Sequence, residues 1–222
     1  MREYIVERSQ NPIQRIRFAN IEVEQIEPVP EDINLSAVFR TIEKNFPPHY
    51  FHKLKGVRIE HLDEFDERSV NAVYKDGVFH ISNRLKDTRD LMDDVIHEFA
   101  HHMENLFPKK IYADKSLIRE FIKKRHELKF ELQSEGYWVK DYDFDNLKYD
   151  SKFDNFLYKR VGKNMLRMAT SSIFIRPYAA VSIREYFATG FEAYYLGKGE
   201  TLEKISPVLY DKIFELHNYN DY

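Results

Sequence analysis

Short segments that mix β-branched or aromatic residues with charged ones occupy the first third of the chain. This pattern, in which apolar and polar positions tend to alternate, predicts strands. The segments are residues 4–6, 13–18, 21–23, 57–62, 71–74 and 78–81. The last two are joined by Lys75-Asp76-Gly77, and a short connection that contains Asp-Gly is typical of a β-hairpin. We therefore predict a small N-terminal sheet.

The remainder of the chain carries its apolar residues at helical spacing. The predicted helices cover residues 31–45, 88–106, 116–133, 152–168, 182–196 and a last segment that begins at Ser206-Pro207. Gly197 stands where the fifth of these helices should stop. Strands followed by helices predict an α+β fold. We expect one domain over residues 1–222, mostly β in residues 1–85 and mostly helical in residues 86–222.

Composition narrows the classes of function. The formal net charge of -3 gives no expectation of nucleic acid or membrane as a partner. The chain has no cysteine, so any metal must be held by His, Asp or Glu. The first residues lack the apolar stretch of a signal peptide, and no apolar run is long enough for a bilayer. We expect a cytoplasmic protein, with non-classical secretion left open and no prediction of oligomeric state.

The most informative motif is His97-Glu98-Phe99-Ala100-His101. On a helix, residues four apart lie about 40° from each other, so His97 and His101 share a face and can bind one zinc ion. Glu98 lies about 100° around the helix from His97. From there its carboxylate can reach a water on the metal without being a ligand, which is the role of a general base in this motif.

The phase of the surrounding helix agrees with this interpretation. Apolar side chains form an arc opposite the two histidines and should be buried: Leu91, Met92, Val95, Ile96, Phe99, Met103 and Leu106. His102 lies off the ligand face, so we predict a residue at the boundary of the core rather than a ligand. The alternative is a chance match, or histidines that only form hydrogen bonds.

A catalytic zinc site needs a third protein ligand and an open position. The metzincin pattern does not supply that ligand, because Glu104 and Phe107 stand where it requires Gly and His. The helix predicted over residues 182–196 offers Glu185 and Glu192, which lie seven residues apart and so share a face.

Each candidate for the third ligand has an alternative role. Ser182-x-x-Glu185 is a capping-box pattern, so Glu185 could cap its own helix. Glu192 is the rival ligand. His126 is a weaker candidate, because a single histidine on a charged helix is usually solvated. The residues alone leave these possibilities open.

Taken together, His97-Glu98-Phe99-Ala100-His101, Tyr178 and Glu185-Tyr186-Phe187-Ala188 resemble a known superfamily of zinc metallopeptidases. It includes the catalytic domain of anthrax lethal factor and the bacterial Pro-Pro endopeptidases. The resemblance covers residues 70–217 in the order of elements, and strongly only the two motif helices. It implies a zincin-like fold with His97, His101 and Glu185 as metal ligands. It also implies Glu98 as the base and Tyr178 as the phenol that faces the oxyanion.

These observations predict a zinc-dependent endopeptidase that acts on a protein or peptide. We expect residues 78–81 to form an edge strand that pairs with an extended substrate. Two alternatives remain open. One is a processing protease of a phage or mobile element with a single dedicated partner. The other is an interaction or structural protein that keeps a relict metal site, although an intact Glu98 favours an enzyme.

Overall fold

The computed structural model describes residues 13–68 and 70–219, so the strand predicted over residues 4–6 lies outside the described residues. The fold is α+β, as predicted. The chain divides into two compact units: one ends at His102 and the other spans Met103–Tyr219. No helix among the described residues is both long and apolar enough to cross a membrane.

The first unit contains a five-stranded mixed sheet with the order β1-β2-β3-β5-β4. Its strands are β1 (Arg15–Phe18), β2 (Ile21–Gln25), β3 (Gly56–Ile59), β4 (Ala72–Lys75) and β5 (Val78–Ile81). The three central strands β2, β3 and β5 run parallel, and β1 and β4 are antiparallel to their neighbours. The sheet therefore combines two hairpins with parallel central pairings.

The predicted hairpin is confirmed, but the predicted edge strand is wrong. Asp76 and Gly77 both have positive φ, 53° and 89°, as a tight hairpin turn of type I′ requires. This turn folds β4 back along β5, while the other side of β5 pairs with β3. Because β5 is enclosed on both sides, it has no free edge for a peptide, and β4 is the edge strand at this end of the described sheet.

Three helices accompany the sheet in the first unit: α1 (Leu35–Asn45), α2 (Asp63–Arg68) and the part of α3 (Thr88–Leu106) up to His102. Helix α1 begins four residues later than predicted, because Asn34 caps it by accepting the N–H of Ala37 at 2.9 Å. Aromatic rings connect helices and strands in the core. The ring centroids of Phe18 and Phe39 are 4.8 Å apart, as are those of Phe79 and Phe99.

The helices that follow α3 belong to the second unit. They are α4 (Pro108–Tyr112), α5 (Ser116–Ser134), α6 (Ser151–Asn155), α7 (Lys163–Thr170), α8 (Ile183–Tyr195), α9 (Gly199–Ile205) and α10 (Pro207–His217). Gly197 has a φ of 77° and follows α8, as the predicted stop requires. Pro207 is the first residue of α10. The short helices α4 and α9 were not predicted.

The helix predicted over residues 152–168 is divided. A π-helical segment, Phe156–Gly162, separates α6 from α7. Gly162 has a φ of 82°, which an ordinary α-helix does not accommodate. π-helical turns are rare and often occur near functional residues.

Charged side chains on α5 that are buried or half-buried connect the segments of the second unit. The Glu120 carboxylate accepts the Tyr186 hydroxyl at 2.7 Å and the backbone N–H of Val208 at 2.9 Å, at the start of α10. The Lys124 ammonium donates to the carbonyl of Ile173 at 2.7 Å. Arg125 donates to the carbonyls of Asn146 and Asp143, both at 2.8 Å, which fixes the loop before α6.

Candidate metal centre

Helix α3 brings His97 and His101 together as the motif predicts. Their ring centroids are 4.8 Å apart, and the ring planes meet at 81°. His97 is half-buried and His101 is 9% exposed. The apolar arc of the helix explains this placement, because Leu91, Val95 and Phe99 are fully buried. Two imidazoles therefore lie side by side on a less buried face of the helix.

Glu98 follows His97 directly and is buried, with 4% of its surface exposed. A carboxylate in such a position is costly to bury unless polar groups or a cation compensate its charge. Its place on α3, one residue after the first histidine, is the place of a general base in this motif.

His102 is in a different environment from the other two histidines of α3. It is fully buried, so the prediction of a boundary position is wrong. One ring nitrogen, Nε2, lies 3.0 Å from the carbonyl of His52, and Nδ1 lies 2.9 Å from the hydroxyl of Tyr74. Because a carbonyl only accepts, Nε2 carries the proton and donates it, and Nδ1 accepts from Tyr74. Burial lowers the pKa of His102 to about 4.

Asp94 is a further titratable group on α3, and the sequence motif did not predict it. It is half-buried and precedes His97 by three residues. Burial, together with the charge of Asp90, raises the pKa of the Asp94 carboxyl to about 7. Its helical spacing from His97 was the signal available in the sequence, since residues three apart are neighbours on a helix surface.

Glu185 lies in the first turn of α8 and is half-buried. Two hydrogen bonds hold the backbone at this residue. Its N–H donates to the Ser182 hydroxyl at 3.2 Å, and its carbonyl accepts the Thr189 hydroxyl at 2.8 Å. The Ser182 half of the predicted capping box is therefore present.

The two rival candidates for the third ligand have other partners. Glu192 is buried, and its Oε2 lies 2.5 Å from Nη1 of Arg176. This ion pair neutralises the charge that Glu192 would offer to a metal. His126 lies on an exposed part of α5, where its Nε2 is 2.8 Å from the carboxylate of Asp145.

Tyr178 lies in a 3-10 turn, Pro177–Ala180, just before α8. It is 37% exposed. Burial of the hydroxyl and the negative charge of Glu185 hold the pKa of Tyr178 well above its usual range, so it stays protonated. Arg176, which precedes the turn, connects it to α8 through the ion pair with Glu192. The second unit thus brings Tyr178 into the electrostatic range of Glu185.

A second tyrosine lies close enough to Glu185 to feel its charge, and the sequence motifs did not predict it. Tyr158 lies in the π-helical segment, and its pKa is raised to about 12 by burial and by the charges of Asp154 and Glu185. Asp154 in turn accepts the hydroxyl of Tyr149 at 3.3 Å. No spacing rule pointed to Tyr158, because a π-helical turn shifts side chains away from the phase of an α-helix.

The donor types on the described residues match the chemistry of zinc. The first unit offers a pair of imidazoles on α3, and the second unit offers the carboxylate of Glu185. Two histidines and one glutamate are a known ligand set for catalytic zinc, which accepts nitrogen and oxygen donors and leaves a fourth position open. A chain without cysteine has no thiolate to compete with them.

Comparison with known proteins identifies no relative of this chain among family models, curated proteins or solved structures.

Proposed function

We propose that this protein is a zinc-dependent endopeptidase with a zincin-like active site. The observation that carries the proposal is the side-by-side arrangement of His97 and His101, 4.8 Å apart by their ring centroids, on a helix in which the buried Glu98 directly follows His97 in sequence. Two imidazoles without an adjacent acid could serve a structural metal. A base beside them is needed only when water must be activated.

In this proposal His97, His101 and Glu185 hold the zinc. Glu185 is preferred to Glu192 because Glu192 already pairs with Arg176 at 2.5 Å. It is also supported by its place in the first turn of α8, where the Ser182 cap and Thr189 hold its backbone. Side chains on fixed helical positions make more precise ligands than side chains on loops.

Zinc bound by these residues would acidify a water molecule and polarise the carbonyl of the scissile peptide bond. Glu98 would take the proton of that water as it attacks the peptide carbonyl and would deliver the proton to the leaving amine. Tyr178 donates its hydroxyl to the oxygen that becomes negative, a role for which its protonated state is suited. The proposed substrate class is therefore a protein or peptide.

Incubation with a peptide library, followed by mass spectrometry, tests this function. The zinc-loaded protein should cleave a defined subset of peptides, and chelation should stop the cleavage until zinc is added back. The matched control is Glu98→Gln, which removes the base but keeps the shape and the metal ligands. Cleavage by the zinc-loaded wild type that Glu98→Gln abolishes would support the enzyme. A wild type that binds zinc but cleaves no peptide, and no protein of a cell extract, would favour the relict metal protein instead.

A further inference from the structure

Glu104 is a buried carboxylate that the zinc motif does not account for. It is 7% exposed and lies in the last turn of α3, three residues after His101. Its Oε1 accepts the hydroxyl of Tyr112, on α4, in a short hydrogen bond. Its Oε2 lies 3.2 Å from Nε of Arg184, on α8. One side chain thus connects three helical elements of the second unit.

Burying the Glu104 carboxylate costs hydration free energy, which its partners must offset. A carboxylate removed from water loses several kcal/mol of hydration, and a single partner seldom restores it. Tyr112 supplies a neutral donor, since burial and the charge of Glu104 hold the pKa of its hydroxyl far above the usual range. Arg184 supplies the opposite charge, although its own side chain is 58% exposed.

Arg184 is the second residue of α8 and precedes Glu185 directly. Consecutive residues of a helix point about 100° apart, so an anchored Arg184 restrains the rotation of the first turn about the helix axis. The hydrogen bond from the N–H of Ile183 to the carbonyl of Leu147, at 3.0 Å, restrains the same turn from another side. With both in place, the direction in which Glu185 extends its carboxylate is limited.

We propose that Glu104 is a positioning residue for Glu185: through Arg184 it fixes the first turn of α8, so that the Glu185 carboxylate is presented as a zinc ligand. This inference rests on the proposed function. Glu104 itself touches neither metal nor substrate. It supports the ligand in the way that outer residues of zinc sites orient the groups that bind the ion.

Zinc affinity, measured by competition with a chromophoric chelator, tests the proposal on the full chain. Arg184→Leu removes the anchor from a largely exposed position, so folding should be retained. Glu104→Gln removes the charge that holds the anchor. Both variants should bind zinc about 10- to 100-fold more weakly than wild type. Arg184→Leu is the sharper variant: it removes a positive charge near the site, which by Coulomb's law alone would strengthen zinc binding.

Asp114→Asn is the matched control. It breaks another ion pair of the same unit, the 2.8 Å contact between Lys212 and Asp114, which does not lead to Glu185. Its zinc affinity should equal that of wild type even if its melting temperature falls. Cobalt-substituted protein gives a second measurement: Arg184→Leu should shift the d–d absorption bands, because the carboxylate ligand is displaced, whereas Asp114→Asn should leave them unchanged.

The outcomes separate this inference from the function on which it rests. If Glu185→Gln weakens zinc binding while Arg184→Leu and Glu104→Gln bind zinc as wild type does, Glu104 does not position the ligand and the proposed function stands. If wild type and Glu185→Gln bind zinc equally, or neither binds it, Glu185 is not a ligand and both proposals fall. Weaker binding in Arg184→Leu, with Asp114→Asn unchanged, supports the positioning role.

Discussion

Helix α3 carries three histidines within six residues, and their environments differ sharply. His97 and His101 lie side by side on the less buried face, with ring centroids 4.8 Å apart. His102, the immediate neighbour of His101, is fully buried and uses both ring nitrogens in hydrogen bonds to Tyr74 and the His52 carbonyl. Its pKa is lowered to about 4 by burial.

The difference shows that the phase of a histidine on the helix decides its chemistry. A single step of about 100° around the helix moves the ring from the less buried face, where we propose that it binds a metal, to the core, where it forms hydrogen bonds. In the core, the neutral imidazole is stabilised because the charged form would lose its hydration. We therefore expect substitutions on the less buried face of α3 to change zinc content, and substitutions on the buried face to change stability.

The largest difference should appear in zinc content. His97→Ala removes a proposed ligand, so the zinc content of the purified protein should fall from about one ion per chain to nearly none. His102→Gln retains both ligands and should keep about one zinc per chain. Elemental analysis of the folded variants measures the number of zinc ions per chain. Equal zinc content in His97→Ala and wild type would remove the distinction between the two faces.

The pH dependence of stability should reveal the buried histidine. The pKa of His102 is about 4 in the folded protein, against 6.5 for an ordinary histidine, so the unfolded state binds the proton first as pH falls. The stability that His102 contributes is complete above pH 6.5 and is lost progressively towards pH 4. The difference between these two pKa values corresponds to about 3 kcal/mol of folding free energy.

Denaturant unfolding of the metal-free protein between pH 7 and pH 4 makes this measurement. His102→Gln should lower stability at pH 7 but flatten the fall towards pH 4. A slope that is unchanged in His102→Gln would show that this histidine is not held neutral by the core.

Two tyrosines extend the comparison, with smaller effects. Tyr178→Phe removes the proposed oxyanion donor and should lower turnover by about 100-fold, with zinc content and melting temperature near wild type. Tyr74→Phe removes the hydroxyl that His102 accepts at 2.9 Å, and should cost about 1 kcal/mol of stability with little loss of turnover. Turnover assays and thermal unfolding on both variants test this pair. A Tyr178→Phe variant with wild-type turnover would make that tyrosine a packing residue.

Local sequence signals predicted the parts of the molecule that local interactions determine. The apolar arc of α3 predicted its bounds and the burial of Phe99, and Asp76-Gly77 predicted the hairpin. Those signals depend on residues within a few positions of each other. The position of β5 inside the sheet depends instead on its pairing with β3, which no local pattern records.

The candidate site divides in the same way. Its histidine pair and the neighbouring, buried Glu98 lie within one motif of five residues. The ion pairs that distinguish its carboxylates join distant positions, Arg176 with Glu192 and Glu104 with Arg184, and helical spacing says nothing about such contacts. Tyr158 was missed because the π-helical segment changes the phase on which the prediction relied. Contacts between side chains that tertiary packing brings together can be identified only in the structure.

We propose above that His97, His101 and Glu185 together bind one zinc ion. Zinc affinity of wild type, Glu185→Gln and Glu192→Gln, measured side by side by chelator competition, tests it most directly. We expect Glu185→Gln to bind zinc at least about 100-fold more weakly than wild type, because a neutral amide is a poor zinc ligand. Folded Glu192→Gln should retain most of the affinity, since Glu192 pairs with Arg176. Wild-type affinity in Glu185→Gln, or a loss confined to Glu192→Gln, would contradict the assignment.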